Sequence, residues 1–272
     1  MNYIQVSISS TDAAIKEILI AQLSELGFDG FEEKDTILIA YISSDTYNAG
    51  ELNAVMEPLG LGFEIIEVPS QNWNQLWEDN FQAVIIDNLC TIRADFHDIT
   101  VTTPYEIIVT PKMSFGTGHH ATTQLMMLSM QDLIWAGKKV MDFGTGTGIL
   151  AIFAEMLGAS EIVAIDNDEW SVSNAAENIA RNKCSKISLA LGTLSEYSNR
   201  TFDIILANIN RNILLENMGL FHGMLSTNGN LILSGLLAED EEVICAEAAG
   251  NSFKLLKEQH LNGWICLMFE KV

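Results

Sequence analysis

VMDFGTGTGIL, residues 140–150, carries the chain from strand to helix over three alternate glycines. Val140 and Met141 lead a strand into Asp142, and Gly144, Gly146 and Gly148 open a helix at Ile149. Glycine lets a backbone turn tightly and approach a ligand closely. The dinucleotide fingerprint requires G-x-G-x-x-G between a strand and a helix. Here the spacing is G-x-G-x-G, and Ile149 stands where the fingerprint's last glycine belongs. The spacing disfavours a nicotinamide-dependent oxidoreductase, and a helix-entry turn with no ligand is the plain alternative.

Three further segments surround this turn. IVAIDNDEW (162–170) reads as a strand ending at Asp166, 22 residues after Gly144. An acid there reaches both ribose hydroxyls of an adenosine, which indicates a nucleoside without choosing the chemistry. Asp168 is placed to cap the next helix. Upstream, SFGTGHHATTQ (114–124) has Gly116 and Gly118 after Phe115, then Thr122 and Thr123 opening a helix whose free N–H groups suit a carboxylate. His119 and His120 are adjacent, share no helix face and have no Cys or carboxylate partner nearby, so no metal site is expected. Downstream, ILANINRNIL (205–214) ends a strand at Asn208 before the turn Asn208-Ile209-Asn210. Asn208 either caps the following helix or holds an amine with its side-chain oxygen, as amino-group methyltransferases do at this strand tip.

Outward from these motifs, strands and helices alternate from Phe115 on: helix 122–134, strand 139–142, helix 149–157, strand 162–166, helix 169–181, strands 187–191 and 203–207, helix 211–225, strand 230–233, helix 239–249, and strands 253–259 and 264–269 around Asn262-Gly263. Such alternation implies a doubly wound, mostly parallel Rossmann-like sheet, closed here by a hairpin. Residues 1–68 read as strand 3–9, helix 12–26, strands 28–32 and 37–42, helix 49–57 and strand 63–68, a small ferredoxin-like α+β domain. Residues 69–115 read as a bridge with short strands at 84–86, 89–92 and 107–110. Its Trp73, Trp77 and Phe81 recur at helical spacing and suit a helix packed on a neighbour. The catalytic domain is expected over 116–272.

Hydrophobic residues make up 48% of the chain, ample for a core, and the four cysteines form no CxxC pair, so buried reduced thiols are expected. No apolar run is long enough to span a bilayer and no secretory pattern opens the chain, so a cytoplasmic protein without membrane contact is expected. Asp and Glu number 36 against 14 Lys and Arg, a net charge of -22, which argues against direct nucleic-acid binding. Residues 1–68 hold twelve acids and two bases. The front domain therefore suits a basic protein partner, with a merely solubilising surface as the alternative.

Taken together, FGTGHHATT, DFGTGTGIL, AIDND and ANI resemble, in order and spacing, the PrmA family, which methylates the L-eleven protein of the large ribosomal subunit. The D-x-G-x-G-x-G form is similar to the first motif of class I S-adenosylmethionine enzymes. The resemblance covers roughly residues 70–272, with the front domain matching in length and pattern. It implies S-adenosyl-L-methionine as cofactor and methylation of lysine ε-amines and an N-terminal α-amine; the acidic front domain, which suits a basic protein and deters bare RNA, adds the expectation that the substrate is met free before ribosome assembly. It implies cofactor contacts from Phe115, Thr123, Asp142, Gly144, Gly146, Asp166 and Asn208, and a catalytic role for Asn208. No proline follows Asn208, and no acid follows the strand end at Leu191-Gly192-Thr193, where many class I enzymes bind adenine. The competing readings are an amino-group methyltransferase acting on another protein or a small molecule, an oxidoreductase, and a non-catalytic binding protein.

Overall fold

The structure is a computed structural model that describes residues 3–10, 12–34, 36–68, 81–110, 112 and 115–272. The chain divides into two compact units, Met1–Asn80 and Phe81–Val272. The helix expected around Trp73 and Trp77 lies outside the described residues.

The first unit runs β1 (Tyr3–Ser9), α1 (Ala13–Glu25), β2 (Gly30–Lys34), β3 (Ile37–Ser43), α2 (Ala49–Met56) and β4 (Phe63–Val68). The sheet order is β2-β3-β1-β4 and every neighbour is antiparallel, the ferredoxin-like arrangement. Side chains alternate across a strand. Val6, Ile8, Leu38, Ala40 and Ile42 therefore share a core with Leu19, Leu23, Leu52 and Met56 of the helices. Gln5 and Ser7 take the opposite face, in register with Tyr41 and Ile39. β2 starts at Gly30 and not at Phe28, because Phe28 is buried and its N–H closes the end of α1 on the Leu23 carbonyl.

The second unit opens with β5 (Val84–Ile86), β6 (Cys90–Arg93) and β7 (Tyr105–Ile108), a three-stranded sheet. Then come α3 (Ala121–Met130), β8 (Lys139–Phe143), α4 (Ile149–Met156), β9 (Glu161–Asp166), α5 (Glu169–Arg181), β10 (Ile187–Leu191), β11 (Phe202–Asn208), α6 (Arg211–Met224), β12 (Leu225–Leu237), α7 (Glu241–Gly250), β13 (Phe253–Leu261) and β14 (Trp264–Lys271). The seven-stranded order is β10-β9-β8-β11-β12-β14-β13, parallel except at β14, which is antiparallel to both neighbours. The closing hairpin turns at Asn262 and Gly263, both with positive φ.

Alternation along the central strands supplies two cores. Val140, Ile162, Ala164, Ile204 and Leu206 face α3 and α4. Met141, Val163, Ile165, Ile205 and Ala207 face α6 and α7 through Leu214, Met218, Phe221 and Ile244. Ile86, Cys90, Ile92, Ile107 and Val109 join the first of these cores, so the described part of the expected bridge belongs to the second unit. Tyr105 meets the buried Phe153 ring edge-on at 5.4 Å. Burial pushes the Cys90 and Cys266 thiols up to about 12, which keeps both unreactive. α3 ends at Met130, short of Ile134, because the Trp135 indole N–H takes the Met130 carbonyl at 2.7 Å and turns the chain out. No helix among the described residues is long and apolar enough to cross a membrane.

Candidate functional site

The glycine turn at 144–148 stands at the carboxyl end of β8, beside the tips of β9 and β11, where a parallel sheet offers its crevice. Backbone bonds fix it: Gly144 and Thr145 donate their N–H groups to the Ile165 carbonyl, and Thr147 donates to Phe115. The Thr147 hydroxyl donates to the Gly116 carbonyl at 2.6 Å. Gly146 has φ +56, and a Cβ there would stand 2.4 Å from the Phe115 carbonyl oxygen. Only glycine allows that approach, which joins the 115–116 segment to the turn.

Asp166, at the tip of β9, accepts from Gly146 N–H at 2.9 Å and from Asp168 N–H at 3.1 Å. Asp168 caps α5 through the N–H groups of Trp170 and Ser171, as its sequence position predicts. Asp142 is fully buried below the turn, accepting from the Thr145 hydroxyl at 2.6 Å and Ala151 N–H at 3.2 Å. Burial pushes its carboxyl up to about 7 against those two hydrogen bonds, and the nearby Asp166 charge adds to the rise. Beyond β10, Glu196 folds back to accept Thr193 N–H at 2.9 Å, so the acid nearest this strand end is engaged in a local cap.

A pocket of about 260 Å³ opens beside the turn, lined by Phe115, His120, Asn208, Ile209, Gly235 and Trp264 among others. Three rings form one part of its wall: His120 lies 5.1 Å from the Phe115 ring and 4.6 Å from that of Trp264. Gly235, at φ +83, lets β12 pass the Ile209 backbone where a Cβ would be 2.2 Å from its carbonyl oxygen. The cap of α6 is Asn210, whose side chain accepts from Ile213 N–H. Asn208 is thereby released from capping, and its Oδ1 is buried without a hydrogen-bond partner among the described residues. Thr123 Oγ1 and Asp142 Oδ1 share that condition. Buried polar atoms are rarely left unpaired, so Asp142 and Asn208, near the carboxyl ends of the adjacent strands β8 and β11, indicate a missing partner.

Of the residues singled out from sequence, Phe115 and Asn208 meet in the pocket, while Gly144, Gly146, Asp142 and Asp166 are joined through the turn. Thr123 is fully buried in α3, and its neighbour Thr122 lines the pocket. The expected carboxylate site on free N–H groups of α3 is reduced: His120 takes Thr122 N–H with its ring and Thr123 N–H with its carbonyl. Sequence patterns do not single out His120 and Trp264 as pocket walls. Nor do they single out Asn178 of α5 or Asn182, the residue that caps its carboxyl end. Asn178 donates to the Thr147 carbonyl at 2.8 Å and accepts from Thr110 N–H at 2.7 Å. Asn182 pairs with both N–H and carbonyl of Ile108. The asparagines lie four apart on one helical face, the only local signal that would have found them.

The family model for ribosomal protein L11 methyltransferase (PrmA) matches residues 3–272. The chain is 41% identical over 262 residues to the ribosomal protein L11 methyltransferase of Porphyromonas gingivalis, covering 93% of this chain and 90% of that one. It is 36% identical over 262 residues to the Bacteroides fragilis protein of the same name, covering 94% of each. Among solved structures it is similar to a ribosomal protein L11 methylase from Lactobacillus delbrueckii subsp. bulgaricus, with a TM-score of 0.64 and 31% identity over 71% of this chain and 100% of that one. A methyltransferase from Pyrococcus furiosus shares the fold at a TM-score of 0.51 and 17% identity, over 61% of this chain and 89% of that one.

Proposed function

The chain belongs to the ribosomal protein L11 methyltransferase family, and from that premise we propose that it methylates lysine ε-amines and the N-terminal α-amine of ribosomal protein L11, using S-adenosylmethionine. The observation that carries the proposal is the buried, unpartnered Oδ1 of Asn208 at the inner end of an aromatic-walled pocket beside the glycine turn.

The residues fit the cofactor. Asp166 offers a carboxylate at the strand tip for ribose hydroxyls. Gly144 and Gly146 let the turn pass close to Ile209 and to the Phe115 carbonyl. The unpartnered oxygens of Asp142 and Thr123 suit the donor groups of an amino acid moiety. When bound, S-adenosylmethionine supplies a methyl group on a positively charged sulfonium, which leaves as a neutral thioether.

The chain's own work is to bring a neutral amine into line. A lysine amine of pKa ~10.4 is neutral about once in 2,500 molecules at pH 7, a cost of about 4.6 kcal/mol. A pocket walled by Phe115, Ile209 and Trp264 excludes water and favours the uncharged amine. Asn208 Oδ1 accepts one amine N–H and so directs the nitrogen lone pair along the reaction line. The amine so held would accept the methyl group, and its spare proton would pass to solvent. No residue is nominated as a general base. Asp142 is held by Thr145 and Ala151 beneath the turn, outside the pocket lining.

The acidic front domain, residues 1–68, serves as the substrate-recognition part, with 69–115 leading to the methyltransferase domain at 116–272. It meets the basic ribosomal protein free in the cytoplasm before assembly, and its charge deters direct contact with bare RNA and gives no hold on a membrane. Asn208→Ala tests the site. Turnover on L11 is expected to fall about a hundredfold while thermal unfolding stays near wild type. Near-wild-type turnover would remove Asn208 from the mechanism.

A further inference from the structure

Beyond the pocket at Asn208 lies a wider trough of about 460 Å³, lined by Arg211, Asn212, Leu237, Glu239 and Asp240. Asn210, Gly235 and Trp264 line both cavities, so the two adjoin. They differ in character. The inner pocket is walled mostly by rings and aliphatic groups, whereas the outer trough presents a guanidinium, two carboxylates and two amides.

The centre of the trough is preorganised. Asp240 is largely buried, accepting from Leu237 N–H at 2.9 Å and from Arg211 Nη1 at 2.8 Å. The turn at 238–240 thereby holds Arg211 at the first position of α6, with its Nε directed to the Asn212 amide oxygen at 3.4 Å. The Arg211 side chain is 47% exposed while that of Asp240 is 9% exposed. Arg211 Nη2 makes no hydrogen bond among the described residues. A guanidinium held this way has little rotamer freedom left to lose and presents planar donors to an incoming carbonyl. Asp240 cancels its charge, so a basic substrate is not repelled, and Glu239 leaves the trough with one net negative charge.

We infer that the trough binds the main chain of an extended, lysine-bearing peptide segment, with Arg211 donating to a peptide carbonyl and Glu239 facing a neighbouring cationic group. The target side chain then runs inward past Trp264, its methylene arm against apolar walls and its nitrogen at Asn208. This division of polarity matches a lysine within a peptide: apolar arm inside, peptide groups outside. A free small amine has nothing to place in the trough. Arg211 is thus a positioning residue that acts on substrate affinity, and the inference rests on the methyltransferase reading above.

The test is steady-state methyl transfer by the full chain, with S-adenosylmethionine and purified ribosomal protein L11, for wild type, Arg211→Lys, Arg211→Ala and Glu239→Gln. Arg211→Lys keeps a cation beside Asp240 and guards against misfolding in the alanine variant. Both Arg211 variants are expected to raise KM for L11 about tenfold while kcat changes less than twofold and calorimetric affinity for S-adenosylmethionine stays unchanged. Glu239→Gln is expected to raise KM and flatten its dependence on salt. An unchanged KM in Arg211→Lys and Glu239→Gln overturns the trough alone, as does a fall in kcat at constant KM. Failure of the wild-type chain to transfer methyl groups to L11 overturns the substrate assignment and the trough together.

Discussion

The complete burial of Asp142 beneath the glycine turn has a thermodynamic consequence. Its folded carboxyl sits near pH 7, above the ordinary value of 3.8. Between those values the folded chain keeps a proton that the unfolded chain has released. The group's contribution to stability is therefore fully present below 3.8 and is lost as pH rises through about 7. Asp142→Asn removes the titration. Denaturant unfolding of both proteins across pH should show the variant gaining on wild type by a few kcal/mol as pH climbs through this window, with a slope approaching ~1.4 kcal/mol for each pH step of one. Parallel profiles would show that Asp142 titrates normally. Asn208 was legible in the sequence as a strand-tip residue, but its freedom from capping was not. That depends on Asn210 taking the Ile213 N–H. His120 and Trp264 were illegible as partners because strand order, and no local pattern, brings β14 to the start of α3.

Among the elements, α5 supports two others at once. The side-chain amides of Asn178 and of its C-cap Asn182 pair with backbone groups of residues 108–110 much as a neighbouring strand would. The same Asn178 holds the Thr147 carbonyl, so one helix face braces both the end of β7 and the glycine turn. Asn178→Ala leaves the Thr110 N–H and the Thr147 carbonyl without these partners. A loss of about 2–4 kcal/mol in urea unfolding is expected, with an unchanged m-value. A loss below about 0.5 kcal/mol would show that the backbone finds other partners. Most elements were visible from periodicity and glycine punctuation, including α5 at 169–181 and the hairpin at Asn262-Gly263. The departures have local causes. β12 runs from Leu225 to Leu237, beyond the four residues read from sequence, because Phe202 of β11 pairs with Leu225 at one end and β14 pairs along it to Leu237 at the other. α7 starts late because Asp240 first closes a short turn on Leu237 N–H. Such effects come from pairing partners that a local pattern does not contain.

On the scale of the whole chain the charge is divided unequally, with twelve acids and two bases in residues 1–68 against eighteen and ten from Gly116 on. If the front domain draws in a basic substrate, its attraction is screened over ~8–10 Å at moderate ionic strength. kcat/KM for L11 should then fall several-fold between about 0.05 and 0.3 M salt, and changing Glu32 and Glu64 to glutamine should reduce that slope. Salt-independent kcat/KM would leave the acidic surface a solubilising one. The fold class, the glycine turn and the strand-tip position of Asp166 were legible as short motifs. The pocket walls and the trough were not, since the pocket collects residues from the 115–122 segment, the end of β11 and its following turn, β12 and β14, and the trough from α6, β12, the 238–240 turn and β14. The central claim is tested most directly by incubating the full chain with S-adenosylmethionine and purified ribosomal protein L11 and reading the intact mass of L11. Stepwise gain of methyl groups on L11, absent without S-adenosylmethionine, is the expected result; an unchanged mass in the presence of calorimetrically bound S-adenosylmethionine would contradict it.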